Sequence, residues 1–339
     1  MSAVASPASA GDAIPRARLD WTPLALLVAL AALAAPAIGS MGSWLTLTVA
    51  GLAMGLIFFV AASGLTLVFG LMDVLNFGHG AFVALGAFVA TGVMGGLAAW
   101  AAGGLPASLA AVLCAMLAAM AAAGALGLAF ERIVVRPVYG AHLQQILVTM
   151  GGLIVGEELI KAAWGAAPLP LPLPEPLRGA IVVGDAAIEK YRLLAAAIGL
   201  LVFAALAWTL NRTRVGLLIR AGVQDREMVE ALGYRVGRLF VGVFAAGSAL
   251  AGLGGVLWGL YQQGVDVRMG ARLNVLIFIV IIIGGLGSTL GCFVGALAVG
   301  LVANYTGFLA PKAALFSDIG LMVAVLLWRP RGHYPVGDR

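Results

Sequence analysis

Residues 64–90 read GLTLVFGLMDVLNFGHGAFVALGAFVA, an apolar, glycine-rich run that carries three polar side chains, Asp73, Asn76 and His79. Asp73 is the only Asp, Glu, Lys or Arg between Trp21 and Phe130. A carboxylate in so long an apolar tract cannot lie in lipid unpaired, since exposure to hydrocarbon costs a few kcal/mol or more. It is expected to face a protein interior, a water-filled path or an interface. The stretch therefore reads as part of a membrane protein with an internal polar feature.

Composition points the same way. Hydrophobic residues make up 62% of the 339, charged residues 10%, and the mean hydropathy is +1.06. A soluble domain is about one quarter charged. The excess of 20 basic over 15 acidic residues is concentrated in a few short loops, so the pI of 9.6 reports orientation in a bilayer and no nucleic-acid partner. Cys114 and Cys292 both lie in apolar segments and read as small core residues, with no disulfide or metal spacing.

Apolar segments long enough for a hydrocarbon layer of roughly 30 Å fall at residues 21–38, 45–69, 80–100, 107–130, 146–164, 193–210, 240–261, 273–285, 291–308 and 315–328. The expected fold is all-α and polytopic, with about ten transmembrane helices, some broken or re-entrant. Arg16 and Arg18 before the first segment, and Ala35-Pro36-Ala37 at its end, mimic a signal peptide. A retained first helix is the expectation, because the later spans need its orientation. With the N-terminus inside, 13 of the 20 basic residues fall on that side, among them Arg132, Arg136, Arg212, Arg214, Arg220, Arg226, Arg235 and Arg238. The bias places both termini in the cytoplasm. The organisation is then a tail over 1–20, one transmembrane domain over 21–328 and a tail over 329–339.

Two polar stretches interrupt the apolar pattern. Residues 165–190 carry alternating prolines at 168, 170, 172, 174 and 176, which force an extended course. This loop is expected outside, as a stiff cap over the external mouth or a plain spacer. Residues 211–238 hold six Arg against Asp225, Glu227 and Glu230, and read as an amphipathic cytoplasmic docking element. Glycines at four-residue spacing, 51/55, 92/96, 152/156, 255/259 and the series Gly287, Gly291 and Gly295, predict close helix packing. A weak echo links residues 77–90 with 286–300, and paired interruptions of this kind mark central transport sites. Whether the halves run parallel or inverted stays open at this point.

Four blocks carry a resemblance: GLTLVFGLMDVLNFGHGAFVALGAF (64–88), ERIVVRPVYG (131–140), TRVGLLIRAGVQDREMVEALGYRVGRL (213–239) and GGLGSTLGCFVGALAVGLV (284–302) with a terminal WRPRG. In this order the chain resembles the membrane permease of ATP-binding-cassette importers for branched-chain amino acids, of the LivH type. The resemblance implies the permease fold of such importers in a bacterial inner membrane. It also implies a second homologous permease, two cytoplasmic ATPases, an external (periplasmic) solute-binding protein and the lipid bilayer as partners. Docking on an ATPase in such importers uses a Glu-Ala-Ala, three residues, Gly pattern. Glu227, Met228, Val229 and Gly233 occupy that spacing here, flanked by Asp225, Arg226 and Glu230. The two Ala positions are larger, and Asp73 stands where the family leads one to expect a basic or neutral residue.

The chain has no phosphate-binding Gly-Lys-Ser/Thr, because Lys161, Lys190 and Lys312 follow Ile, Glu and Pro. ATP and Mg are thus expected on partner subunits, with no cofactor on this chain and no catalytic residues. Asp73, Asn76 and His79, three residues apart and sharing one face if helical, are expected with Gly78 and Gly80 to gate the path or brace a helix break. Bracing is favoured, since a gate needs access to substrate. The expected cargo is branched-chain or related small amino acids, with urea, amides or aromatic acids as the alternative. An ion-coupled secondary carrier is the rival class, with Asp73, Glu157, Glu158 and Asp318 as candidate coupling carboxylates.

Overall fold

The computed structural model describes residues 21–224 and 226–334. Among these residues the elements are helices apart from four short strands, joined by turns and loops. Each of the ten apolar segments falls on a helix: α1 (Thr22–Ile38), α2 (Met41–Met72), α3 (His79–Gly96), α5 (Leu105–Phe130), α6 (His142–Trp164), α7 (Lys190–Arg212), α10 (Val236–Gln262), α11 (Met269–Gly284), α12 (Thr289–Leu309) and α13 (Pro311–Trp328). The remaining helices are the single turn α4 (Ala98–Ala101) and the pair α8 (Arg214–Gln224) and α9 (Arg226–Ala231). α2, α3, α5 with its continuation, α7, α10 and α12 are long and apolar enough to cross a membrane; α1, α11 and α13 are shorter, and α6 carries Glu157, Glu158 and Lys161.

At the centre stands α2, capped where the Ser40 hydroxyl accepts from the Ser43 N–H at 3.1 Å. Every residue from position 50 to 68 is buried except Leu52, as expected of a helix apolar on all faces. Its 32 residues span about 48 Å at ~1.5 Å per residue. Glycine permits its close neighbours. A Cβ on Gly55 would lie 2.7 Å from the Ala296 carbonyl oxygen of α12, and one on Gly64 2.1 Å from that of Gly247 on α10.

The chain folds as two halves of opposite direction. Among the described residues, only Asp73 (φ 52°) and Gln263 (φ 54°) are non-glycines in the left-handed region, and they end α2 and α10 respectively. Five non-helical residues follow the cap in each case, and then a helix opens as His79-Gly80 or Met269-Gly270. α2 and α10 cross antiparallel, with Gly64 on Gly247 and Ala61 on Gly254. α3 packs on α5 and α6 as α11 packs on α12 and α13. The halves are therefore inverted. The echo between residues 77–90 and 286–300 is corrected accordingly: the positional counterpart of the α3 opening is the α11 opening, while residues 289–300 belong to α12, the counterpart of α5.

Glycine spacing has mixed outcomes. Gly287 seats against Gly70, Gly291 against Gly284, and Gly295 against Val280 and Gly284, all within the chain. Gly92 and Gly96 meet nothing within 4 Å. Cys292 is buried, but Cys114 is exposed on the outer face of α5 and is not a core residue.

In the proline loop, β1 (Leu169–Pro170) pairs antiparallel with β4 (Gly264–Val265), the turn after α10, and β2 (Ala180–Val183) with β3 (Ala186–Glu189). Extended chain sends alternate side chains to opposite faces, so the Pro-Leu alternation buries Leu171 and Leu173. The Leu171 N–H donates to the Gln263 carbonyl at 3.1 Å.

Candidate functional site

The break between α2 and α3 holds the residues singled out from sequence. Asp73 closes α2, donating its N–H to the Phe69 carbonyl at 2.9 Å. Its side chain is half exposed and lies 3.7 Å from His142 Nε2 at the start of α6. Of the three settings expected for this carboxylate, its exposure fits a water-filled path or an interface rather than a closed interior.

Asn76 and His79 are buried. Asp73, Asn76 and His79 do not share a helical face: Asp73 ends one helix, Asn76 lies in the turn and His79 opens the next. Asn76 Oδ1 accepts from the Gly78 N–H at 3.0 Å, forming the turn that starts α3. His79 Nε2 donates to the Ala61 carbonyl of α2 at 2.9 Å, which fixes the proton on that nitrogen. Gly64 makes room for the ring, since a Cβ there would lie 3.0 Å from His79 Cε1. Gly78 is close to Thr149 and Phe130, and Gly80 touches Gly270, where a Cβ would come within 2.4 Å of the carbonyl oxygen.

Sequence reasoning passed over the partners that secure this turn. Phe77 donates its N–H to Thr149 Oγ1 of α6 at 3.0 Å, and its carbonyl accepts from Asn274 Nδ2 of α11 at 2.8 Å. Its ring stacks on Phe278 with centroids 4.5 Å apart. Asn274 was visible as the lone polar residue in LNVLIFIVIII (273–283), whereas nothing local marked Thr149. Asn76 Nδ2 and Asn274 Oδ1 are buried without hydrogen-bond partners. The turn is thus tied to α2, α6 and α11 at once, a brace where the two half-helices meet.

A second site lies at the other candidate region. α9 ends in a left-handed Gly233 (φ 87°), with the Gly233 N–H on Glu230 and the Tyr234 N–H on Val229. This glycine-capped end explains why the spacing needs Gly at 233. Val229 is buried against the chain and Met228 is exposed, so only one of the two enlarged positions faces outward. Asp225 and the side chains of Arg226 and Glu227 lie outside the described residues.

Facing α9 is the end of α5, which passes into a π-helical turn (Glu131–Val135). π turns are rare and recur at functional sites. Glu131 is buried and accepts from the Tyr139 hydroxyl at 2.5 Å, while its Oε2 has no partner. A cavity of about 970 Å³ separates this turn from residues 230–241. Arg132, Arg136, Arg235 and Arg238 line it, and none has a side-chain ion pair or hydrogen bond among the described residues. Such a surface attracts acidic groups.

A family model described as the permease component of the branched-chain amino acid transport system matches residues 47–327. The chain belongs to this family. BraD of Pseudomonas aeruginosa, a high-affinity branched-chain amino acid transport system permease protein, is 28% identical over 295 residues, covering 83% of this chain and 92% of BraD. LivH of Escherichia coli K12, of the same description, is 26% identical over 289 residues with the same coverage of each chain. Among solved structures, PsaBC from Streptococcus pneumoniae in complex with Fab aligns over 90% of this chain and 94% of that one, at TM-score 0.42 and 12% identity. As a member of the branched-chain amino acid permease family, the chain is a multi-pass membrane component of an ATP-binding-cassette transporter.

Proposed function

We propose that this chain is the translocating subunit of an ATP-driven importer that carries branched-chain or related small amino acids across a bacterial inner membrane. The family match across residues 47–327 carries this reading. The subunit pairs with a second, homologous permease, receives cargo from an external solute-binding protein and draws energy from two cytoplasmic ATPases that hold ATP and Mg. Both termini, α8, α9 and the arginine-lined cavity lie on the cytoplasmic side. The proline loop lies outside. The arginines beside α9 offer the ATPase a basic surface next to the Glu227 to Gly233 spacing, and the exposed apolar side chains of α6 and α13, such as Leu147, Ile154, Ile319 and Val323, suit the second permease or lipid.

The test is co-expression with candidate subunits, followed by uptake of labelled leucine into proteoliposomes with binding protein and ATP. Saturable, ATP-dependent leucine uptake supports the reading. Uptake driven by an ion gradient without ATPases would overturn it, a functional homodimer would remove the pairing, and urea uptake with no leucine response would remove the cargo.

A further inference from the structure

Where α10 ends and α11 begins, a cleft of about 490 Å³ opens beside the proline loop. Its volume falls within the roughly 300–1,000 Å³ of small-molecule sites. One wall is apolar, formed by Trp258, Met269 and Leu276. The same lining carries charges of both signs, Asp266 and Arg272, joined by an Nη2 to Oδ2 ion pair, with Arg272 set between Met269 and Leu276 on one face of α11.

The two charges are held differently. Asp266 is fixed by the turn into α11: its Oδ1 accepts from the Arg268 N–H at 3.0 Å and its carbonyl from the Met269 N–H at 3.1 Å. Arg272 stands one turn into the helix, and its side chain is 62% exposed. It spends one of five N–H donors on Asp266. A solvent-exposed ion pair adds little to stability, so the fold does not require this one. Carboxylate and guanidinium each keep hydrogen-bonding capacity toward the cleft.

We propose that the cleft receives a zwitterionic amino acid with an apolar side chain. Its carboxylate binds Arg272, its ammonium binds Asp266, and its side chain lies against Trp258 and Leu276. An uncharged solute such as urea forms hydrogen bonds but no ion pair with these groups, and a purely anionic or cationic one meets a like charge. Because β1 of the proline loop pairs with β4 at the rim of the cleft, the site shares the side of the proline loop, which is external under the proposed function. The inference rests on the importer reading and names how its cargo is recognised.

The test uses the whole transporter in proteoliposomes, carrying Leu276→Cys with the exposed Cys114 replaced by Ser. Modification of the introduced thiol by an impermeant reagent is timed with no addition, with millimolar leucine, with isoamylamine, which lacks the carboxylate, and with isovalerate, which lacks the ammonium. Leucine should slow modification at least threefold and the two analogues should not. Adding Arg272→Gln or Asp266→Asn should abolish the protection and raise the KM for leucine uptake several-fold. Equal rates with and without leucine, or protection by the analogues as strong as by leucine, would overturn the proposal. If Leu276→Cys fails to assemble, the leucine-dependent change in tryptophan emission, compared between the parent and Trp258→Phe, gives the same decision. Uptake is measured on the parent transporter in parallel: leucine uptake without protection sinks the cleft alone, and absent leucine uptake sinks the cargo reading on which the proposal rests.

Discussion

Replacing Gly80 by alanine isolates the contact where the two half-helices meet. The residue sits in the first turn of α3 and is not among the positive-φ glycines, so alanine brings no backbone strain. Helix propensity alone would favour the change by about 1 kcal/mol. The new methyl, however, would stand 2.4 Å from the Gly270 carbonyl oxygen and 2.8 Å from its carbon. Reaching ordinary contact requires α3 and α11 to part by about 1 Å, an overpacking cost of roughly 1–3 kcal/mol. That displacement also strains the bond from Asn274 Nδ2 to the Phe77 carbonyl, worth about 1 kcal/mol. The net expectation is a loss of about 1–3 kcal/mol. Gly92→Ala is the control, because a Cβ there meets nothing within 4 Å, and it should be neutral or stabilising by up to about 1 kcal/mol. Thermal loss of the monodisperse fraction in detergent, measured for both variants, reads the difference. Gly80→Ala as heat-resistant as Gly92→Ala would refute the close contact.

The remaining expectations follow from the same geometry. Gly233→Val places a β-branched residue at φ 87°, at a cost of roughly 1–2 kcal/mol; it should lower recovery of ATPase in co-purification while membrane levels of the permease stay normal. Asn76→Leu removes the acceptor for Gly78 and His79→Leu the donor to Ala61. Each should cost about 1–3 kcal/mol and lower the melting temperature, and neither doing so would refute the brace. Asp73→Asn, at a half-exposed carboxylate, should change stability by under about 1 kcal/mol in the same assay. Gly124→Cys combined with Ala249→Cys, at positions whose Cβ atoms lie 3.4 Å apart, should form a disulfide across α5 and α10 that leaves uptake intact, and uptake lost on oxidation but regained on reduction would contradict this.

The ten apolar helices were legible as runs of apolar sequence that loops do not reach, and six of them are long and apolar enough to cross a membrane. The break at residues 73–79 was legible too, since glycines and isolated polar groups stand out in an apolar run. The exposure of Asp73 was not, because its apolar flanks make it read as mid-span, whereas its side chain is half exposed. The matching break after α10 hid in QQGVDVRMG (262–270), which reads as an ordinary polar loop. Its kinship with LMDVLNFGHG (71–80) lies in backbone conformation at Asp73 and Gln263 and in the touching glycines, none of which composition records. Thr149, from α6, reaches the Phe77 turn only through tertiary packing, so sequence spacing had no means of pairing them.

α10 links the two sites. Its N-terminus lies beside α9 and the arginine-lined cavity, and its C-terminus forms one wall of the cleft that holds Asp266 and Arg272. Its 27 residues make a rod of about 40 Å. Gly247, Gly252, Gly254 and Gly255 bring that rod into backbone contact with α2, α5 and α3. Interiors packed this tightly do not deform continuously, so α10 cannot tilt without carrying those three helices. A push at the α9 corner therefore moves the four as one body. α6 is tied to the same body through Thr149 on Phe77 and Gly156 on Ala81, while its outer face and that of α13 expose Leu147, Ile154, Ile319 and Val323. Alternating access under the proposed function is then a motion of this body against the second permease, across the exposed faces of α6 and α13, with the Asn76 to Gly80 brace keeping α2, α3, α6 and α11 together through the cycle.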